Sequence, residues 1–171
     1  MKLKDLNSLF VHELKDLYSA EKQLAKALPK FAKAVSNDEL RQALQQHAKE
    51  TESQLNRLDD IFQQMDVSSR GAKCHAMEGM IEEAQDLLQE DIEPEVLDAA
   101  IISAAQRVEH YEIAGYGTVR SLAEQLGMND LASELQTTLD EEKKTNDKLN
   151  EIALGHVNRE AMMSGQGGEQ R

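Results

Sequence analysis

Glu21 and Glu142 stand where a helix should bury leucine. One apolar stripe runs Phe10, Leu14, Leu17, Glu21, Leu24, Leu28, Phe31, Val35, and another runs Leu131, Leu135, Thr138, Glu142, Thr145, Leu149, Ile152. Both alternate steps of four and three, the spacing that keeps side chains on one face of an α-helix. In each the glutamate lies near the middle. An ionised carboxylate left alone in a core is costly, so it must be neutralised, paired or bound to a cation. Two further stripes repeat the pattern. Leu40, Leu44, His47, Glu50 with Thr51, Gln54, Leu58, Ile61 and Met65 make one, and Ile101, Ala105, Val108, Glu112, Val119 and Leu126 the other. Glu109, Glu112 and Tyr116 fall on adjacent turns of the latter.

Four helical faces therefore send acidic groups inward at mid-height. A cluster of Glu21, Glu50, Glu109, Glu112 and Glu142 would repel itself if ionised and bare. Hard, oxygen-seeking cations such as iron or manganese relieve that repulsion, and carboxylates readily bridge two of them. His47 lies three residues before Glu50 and shares its face, so an imidazole can join the set. The competing reading is a proton-sharing or lysine-paired network without metal. Lys22 and Lys143 adjoin the key glutamates in sequence but point about 100° away around the helix. Tyr116 could supply an electron, a proton or a hydrogen bond, or simply satisfy a buried acceptor as core tyrosines do. Gln54 could orient a ligand or face a bundle end.

Other reactive side chains have weaker claims. His12, His75, His110 and His156 fall outside the central stripes. Cys74 and His75 are adjacent in a loop but lack the third group that orients a nucleophile. Met77 and Met80 read as core fillers. Glu82, Glu83 and Glu141 read as solvated faces, although Glu141 adjoins Glu142 and could substitute for it.

The elements that must position these residues follow from start and stop signals. A first helix is predicted from about Asp5 to Val35, locally kinked or loosened by Pro29. Ser36-Asn37-Asp38-Glu39 forms a capping-box pattern with Ser36 as the cap, and the second helix runs on to about Met65. After a loop at 66–71, a short amphipathic helix is predicted over about Ala76–Glu90. Pro94 opens a third long helix at a favoured first-turn position, and Gly127 suits its left-handed end. Asn129 caps the last long helix, which reaches about Asn158. Helices one and two are tightly joined, as are three and four, while residues 66–93 are long enough to cross the bundle. That is an all-α, ferritin-like four-helix bundle whose one long crossover carries a short fifth helix. Residues 1–160 form the bundle and 161–171 a flexible C-terminal tail.

Composition narrows the function classes. The 171 residues carry a formal charge of −13, which argues against nucleic-acid or anionic-membrane partners. One cysteine excludes an internal disulfide. With no apolar leader or long apolar run, a cytoplasmic protein is expected.

Several blocks in order, Asp16–Leu24, His47 with Glu50-Thr51 and Gln54, Ala76–Gly79, Val108–Ala114 and Glu141–Lys143, resemble the YciE/YciF type of bacterial stress-induced ferritin-like proteins, on the YciF side. The resemblance covers roughly residues 3–158. It implies a rubrerythrin-related bundle, often a homodimer, with two iron ions in the core and ferroxidase-like or peroxide-consuming activity. The chain departs from the usual pair of Glu-x-x-His motifs, because Ser53 follows Glu50 by three and Thr145 follows Glu142 by three. His47 could replace one missing histidine, and Glu109/Glu112 matches the Glu-x-x-Glu of rubrerythrin. The leading expectation is a redox metalloprotein with Glu21, His47, Glu50, Glu109, Glu112 and Glu142 around two iron (or manganese) ions, reacting with Fe(II) and O2 or with H2O2. The alternative is a non-enzymatic dimerisation or binding module whose glutamates are structural or hold a static metal.

Overall fold

Apolar spacing, caps and breakers set the helix bounds in the computed structural model, which describes residues 3–166. The elements are α1 (Leu6–Ala34), α2 (Asp38–Gln64), α3 (His75–Leu87), α4 (Pro94–Gln125) and α5 (Asn129–Ile152), then a π-helical turn (Ala153–Val157) and α6 (Asn158–Gln166). Asp5 caps α1, its side chain accepting from the Ser8 backbone N–H at 2.7 Å. Pro29 does not end α1, which continues to Ala34. Pro94 opens α4, and Gly127 takes the left-handed conformation (φ 75°) between α4 and α5; glycine does so without the Cβ clash other residues meet. None of the described helices is long and apolar enough to cross a membrane.

The long helices form the ferritin-like bundle. α1 packs on α2, α4 on α5, and the pairs meet through α1 with α4 and α2 with α5. The α2–α4 segment crosses over and carries α3, which lies on α1 and α4. Its start is tied to α1, where Ser19 Oγ accepts from the Cys74 N–H at 2.9 Å and Gln23 Nε2 donates to the Cys74 carbonyl at 3.0 Å. Gly115 allows α4 to come close to α1, since a Cβ there would lie 2.6 Å from Leu17 Cδ2.

Two apolar half-cores result. One holds Phe10, Leu14, Leu17, Leu58, Ile61, Val119 and Leu135. The other holds Leu24, Leu28, Phe31, Leu40, Leu44, Met77, Ile101 and Leu149. Between them lies a buried polar layer.

Three local expectations are corrected. Asn37, not Ser36, caps α2, its Oδ1 accepting from the Leu40 N–H at 3.0 Å. Ser36 is engaged elsewhere: Asp98 of α4, only 2% exposed, accepts from the Ser36 N–H (2.8 Å), the Ser36 hydroxyl (2.7 Å) and the Asn37 N–H (2.9 Å). Glu39 does not reach back but pairs with Lys148 on α5. α5 begins at Asn129 after Met128, with no side-chain cap. The C-terminal helix also does not stop near Asn158, nor does a tail begin at 161: one π turn feeds α6, which runs to Gln166. Residues 167–171 of the expected tail lie outside the described residues.

Asp98 clamps the α1–α2 corner from sixty residues away. Asp98→Ala would strip the acceptor from three donors, an expected loss of about 2–3 kcal/mol. Chemical denaturation of the two proteins side by side checks it, and an unchanged midpoint would show that water replaces the carboxylate without cost.

Candidate metal centre

The polar layer is built by one to three residues from each long helix. α1 contributes Glu21, α2 His47, Thr51 and Gln54, α4 Glu109, Glu112 and Tyr116, and α5 Thr138 and Glu142, all of them buried. His47, Glu109, Glu112 and Glu142 converge most closely, each offering a ligand atom within 4.8 Å of the others. His47 Nε2 stands 3.1 Å from Glu109 Oε1, yet neither atom makes a hydrogen bond. Two donors at right angles about one ion, each ~2.1 Å from it, are about 3 Å apart. The same spacing suits an imidazolium–carboxylate ion pair and two neighbours on a shared cation.

Unmet bonding capacity is concentrated here. Both oxygens of Glu109 and of Glu112, one each of Glu21 and Glu142, and both ring nitrogens of His47 are buried without a hydrogen-bond partner. Native interiors seldom leave such atoms unpaired. Among the described residues no lysine or arginine pairs with these carboxylates: Lys22 instead lies 5.4 Å from the Tyr18 ring centre, and Lys143 is exposed. A hard cation is the partner that one imidazole and several carboxylates fit.

Electrostatics agrees with the geometry. Burial, and then the neighbouring carboxylates Glu21, Glu142 and Glu109, pushes the Glu112 carboxyl well above its ordinary range. Burial, with Glu109 and Glu21 nearby, does the same to Glu142. Glu21 rises to about 7, mainly through burial; the hydrogen bond from Tyr116 and the charge of His47 hold it down. Burial lowers His47, but the charges of Glu109, Glu21 and Glu50 outweigh it and leave the imidazole above its usual value.

The remaining polar groups brace the layer. The Tyr116 hydroxyl donates to Glu21 Oε1 at 2.5 Å, satisfying a buried acceptor. Gln54 Nε2 donates to Glu142 and, at 3.1 Å, to Glu141. Arg57 grips Glu141 through two nitrogens at 3.0 and 3.1 Å and donates to Thr138 Oγ1 at 2.5 Å. Glu141 is thus no solvated face but half of a cross-helix ion pair. Sequence reasoning missed Arg57, whose signal was its place one turn beyond Gln54 on the same edge of α2.

Glu50 is not brought into the converging set. It is half-buried, accepts a 3.0 Å hydrogen bond from Gln46, and lines an outer groove with Lys144, Thr145 and Lys148. At 100° per residue Glu50 sits about 60° from His47, whereas Thr51 and Gln54 sit about 40° and 20° away, on the inner arc. Glu21 lies beside the four donors rather than among them.

The other histidines lie apart: His12, His75 and His110 are exposed, and His156 stands 3.7 Å from Glu39. Cys74 is buried, caps α3 through Sγ, and lies 3.0 Å from the Tyr111 hydroxyl, which donates to Asp16. Burial pushes its thiol up, away from nucleophilic behaviour. Met77 is fully buried and Met80 packs against the same half-core.

Known proteins share this arrangement of chain and fold. YciF of Escherichia coli (strain K12) is 48% identical over 162 residues, spanning 94% of this chain and 98% of YciF. The crystal structure of YciF, there described as an E. coli stress protein, superposes with a TM-score of 0.88 over 91% of this chain and 99% of that one. YcfI from Rhodopseudomonas palustris is 44% identical, with a TM-score of 0.84 over 87% of this chain and 95% of that one. The Xanthomonas campestris protein XCC3681, 20% identical with a TM-score of 0.75 over 94% of this chain and 98% of that one, shares the fold. Residues 5–162 match the family described as a domain of unknown function, DUF892, and the chain belongs to that family.

Proposed function

We propose that His47, Glu109, Glu112 and Glu142, with Glu21 beside them, hold iron or manganese ions, two at full loading, and that the protein is an oxidoreductase acting on Fe(II) with O2 or on peroxide. The observation that carries this reading is the set of buried, unpartnered donor atoms converging from three helices. Bound redox-active ions would supply the electrons that reduce O2 or peroxide. The chain's own residues set the conditions. Glu112 and Glu142 keep protons until a cation displaces them, which makes loading pH-dependent. Tyr116 holds one oxygen of Glu21 and leaves the other free. Gln54 orients Glu142, and the Arg57–Glu141 pair closes the α2–α5 side of the layer. A role in stress physiology is supported by the description of the E. coli relative as a stress protein.

Anaerobic loading with Fe(II), elemental analysis and then exposure to O2 or H2O2 tests this reading. The expected result is about two metal equivalents and consumption of the oxidant, as bridging carboxylates permit. Fully loaded protein that remains inert to both oxidants would reject the redox function.

A second reading is favoured by the raised carboxyls themselves: a protonated, metal-free network that is purely structural. It requires that EDTA leave the melting temperature of purified protein unchanged.

A further inference from the structure

Beneath α3 a cavity of about 20 Å³ lies between α1, α3 and α4, with Leu44 of α2 also on its wall. Leu24, Phe31, Met80, Ala105 and Val108 are among its walls, and Glu109 is the one charged residue lining it. That volume is about that of one water; water would lose its hydrogen bonds among these apolar walls, and a small apolar guest such as xenon, which is larger, enters only as a wall side chain yields. Glu109 also belongs to the four-donor cluster, so one side chain borders both the cavity and the candidate centre. On the outer side Met80 and Ala105 are only half-buried, and a methionine side chain repacks easily. The polar groove containing Glu50 lies instead between α2 and α5, across the bundle.

We infer that this cavity is a binding and entry site for a small apolar gas of the O2 class, which reaches the centre past Glu109, while charged and polar reactants use another face. The inference rests on the redox reading of the centre. Its chemistry is recognition by size and lack of polarity: O2 accepts only weak hydrogen bonds and gains by leaving water for an apolar hollow. Peroxide, which donates and accepts, would lose hydrogen bonds in the same place.

The test uses xenon on the wild-type protein and O2 kinetics on an Ala105→Leu variant, whose added bulk lies at the half-buried mouth. Crystals of the full chain under xenon pressure are expected to show one xenon atom between Val108 and Met80. In the Fe(II)-loaded variant the KM for O2 is expected to rise about fivefold, with kcat at saturating O2, metal content and the rate with H2O2 all within about twofold. An empty cavity under xenon, or an O2 dependence identical to wild type, overturns the inference. Loaded wild-type protein that consumes peroxide but shows no O2 reaction also overturns it and spares the centre. Inertness to both oxidants rejects the redox function and the entry role with it, and xenon then decides separately whether the cavity takes up an apolar gas.

Discussion

Replacing Glu112 and Glu142 together by glutamine is expected to abolish cation binding while leaving the metal-free protein as stable as wild type, or more so at alkaline pH. Both side chains are buried among like charges, and their own environment already favours the neutral form. Glutamine keeps the shape and removes the charge that a hard cation needs. Losing a single orienting partner outside a metal's ligand set typically costs about 10–100-fold in affinity, so losing two direct ligands should weaken binding by at least about a thousandfold. Elemental analysis after loading and dialysis should fall from about two equivalents to nearly none. Glu50→Gln is the informative contrast, because Glu50 lies off the converging set and faces the outer groove. It should weaken binding by less than about tenfold. Full metal retention in the double variant would show that the cations, if any, bind elsewhere.

The second large effect is a reversal of pH dependence on metal loading. Glu21 rises from 4.5 in the unfolded chain to about 7 in the fold. The folded state therefore holds a proton that the unfolded state releases between those values, and stability falls as pH rises through that window. At 1.36 kcal/mol per unit, Glu21 alone contributes a loss of about 3 kcal/mol between pH 4.5 and 7. Glu112 and Glu142 act in the same direction and extend the loss to higher pH. His47, also raised, adds stability below its unfolded value that is lost as pH climbs through the folded one. EDTA-treated protein should thus melt at a higher temperature at pH 5 than at pH 8. With Mn(II) present the order should invert, because the cation binds only the deprotonated carboxylates and neutral imidazole. Thermal melts at the two pH values, with and without Mn(II), check both halves. A metal-free protein with a flat profile from pH 5 to 8 would mean that water reaches the polar layer and screens it.

Most of the architecture was legible because helical spacing, Pro94 and Gly127 are local signals. The central glutamates were legible for a similar reason: a carboxylate in a leucine stripe violates a pattern over a single helix. What escaped depended on geometry between helices. Asp98 takes Ser36 away from its local capping role across 62 residues, and no local rule foresees that competition. Arg57 and Glu141 each looked like surface charge until α2 and α5 were set side by side. Glu50 satisfied the spacing rule yet lies at the edge of the permitted arc, where about 60° decides between core and groove. The π turn at Ala153–Val157 carried the chain on into α6, where the sequence reading had placed a frayed end.

The polar layer between the two half-cores also fixes how high each helix sits against its neighbours. Seven residues on either side of Glu21 stand Leu14 and Leu28, and seven on either side of Glu142 stand Leu135 and Leu149, all buried. Stripes made only of leucine would fit almost equally well after sliding by two turns, about 10.5 Å. With the glutamates in place, such a slip would drive a carboxylate into hydrocarbon and a leucine among unpaired acids. The residues that leave the metal-free core unsatisfied are thus the ones that tell four interchangeable-looking helices their single alignment, as a lone polar side chain does in a coiled coil.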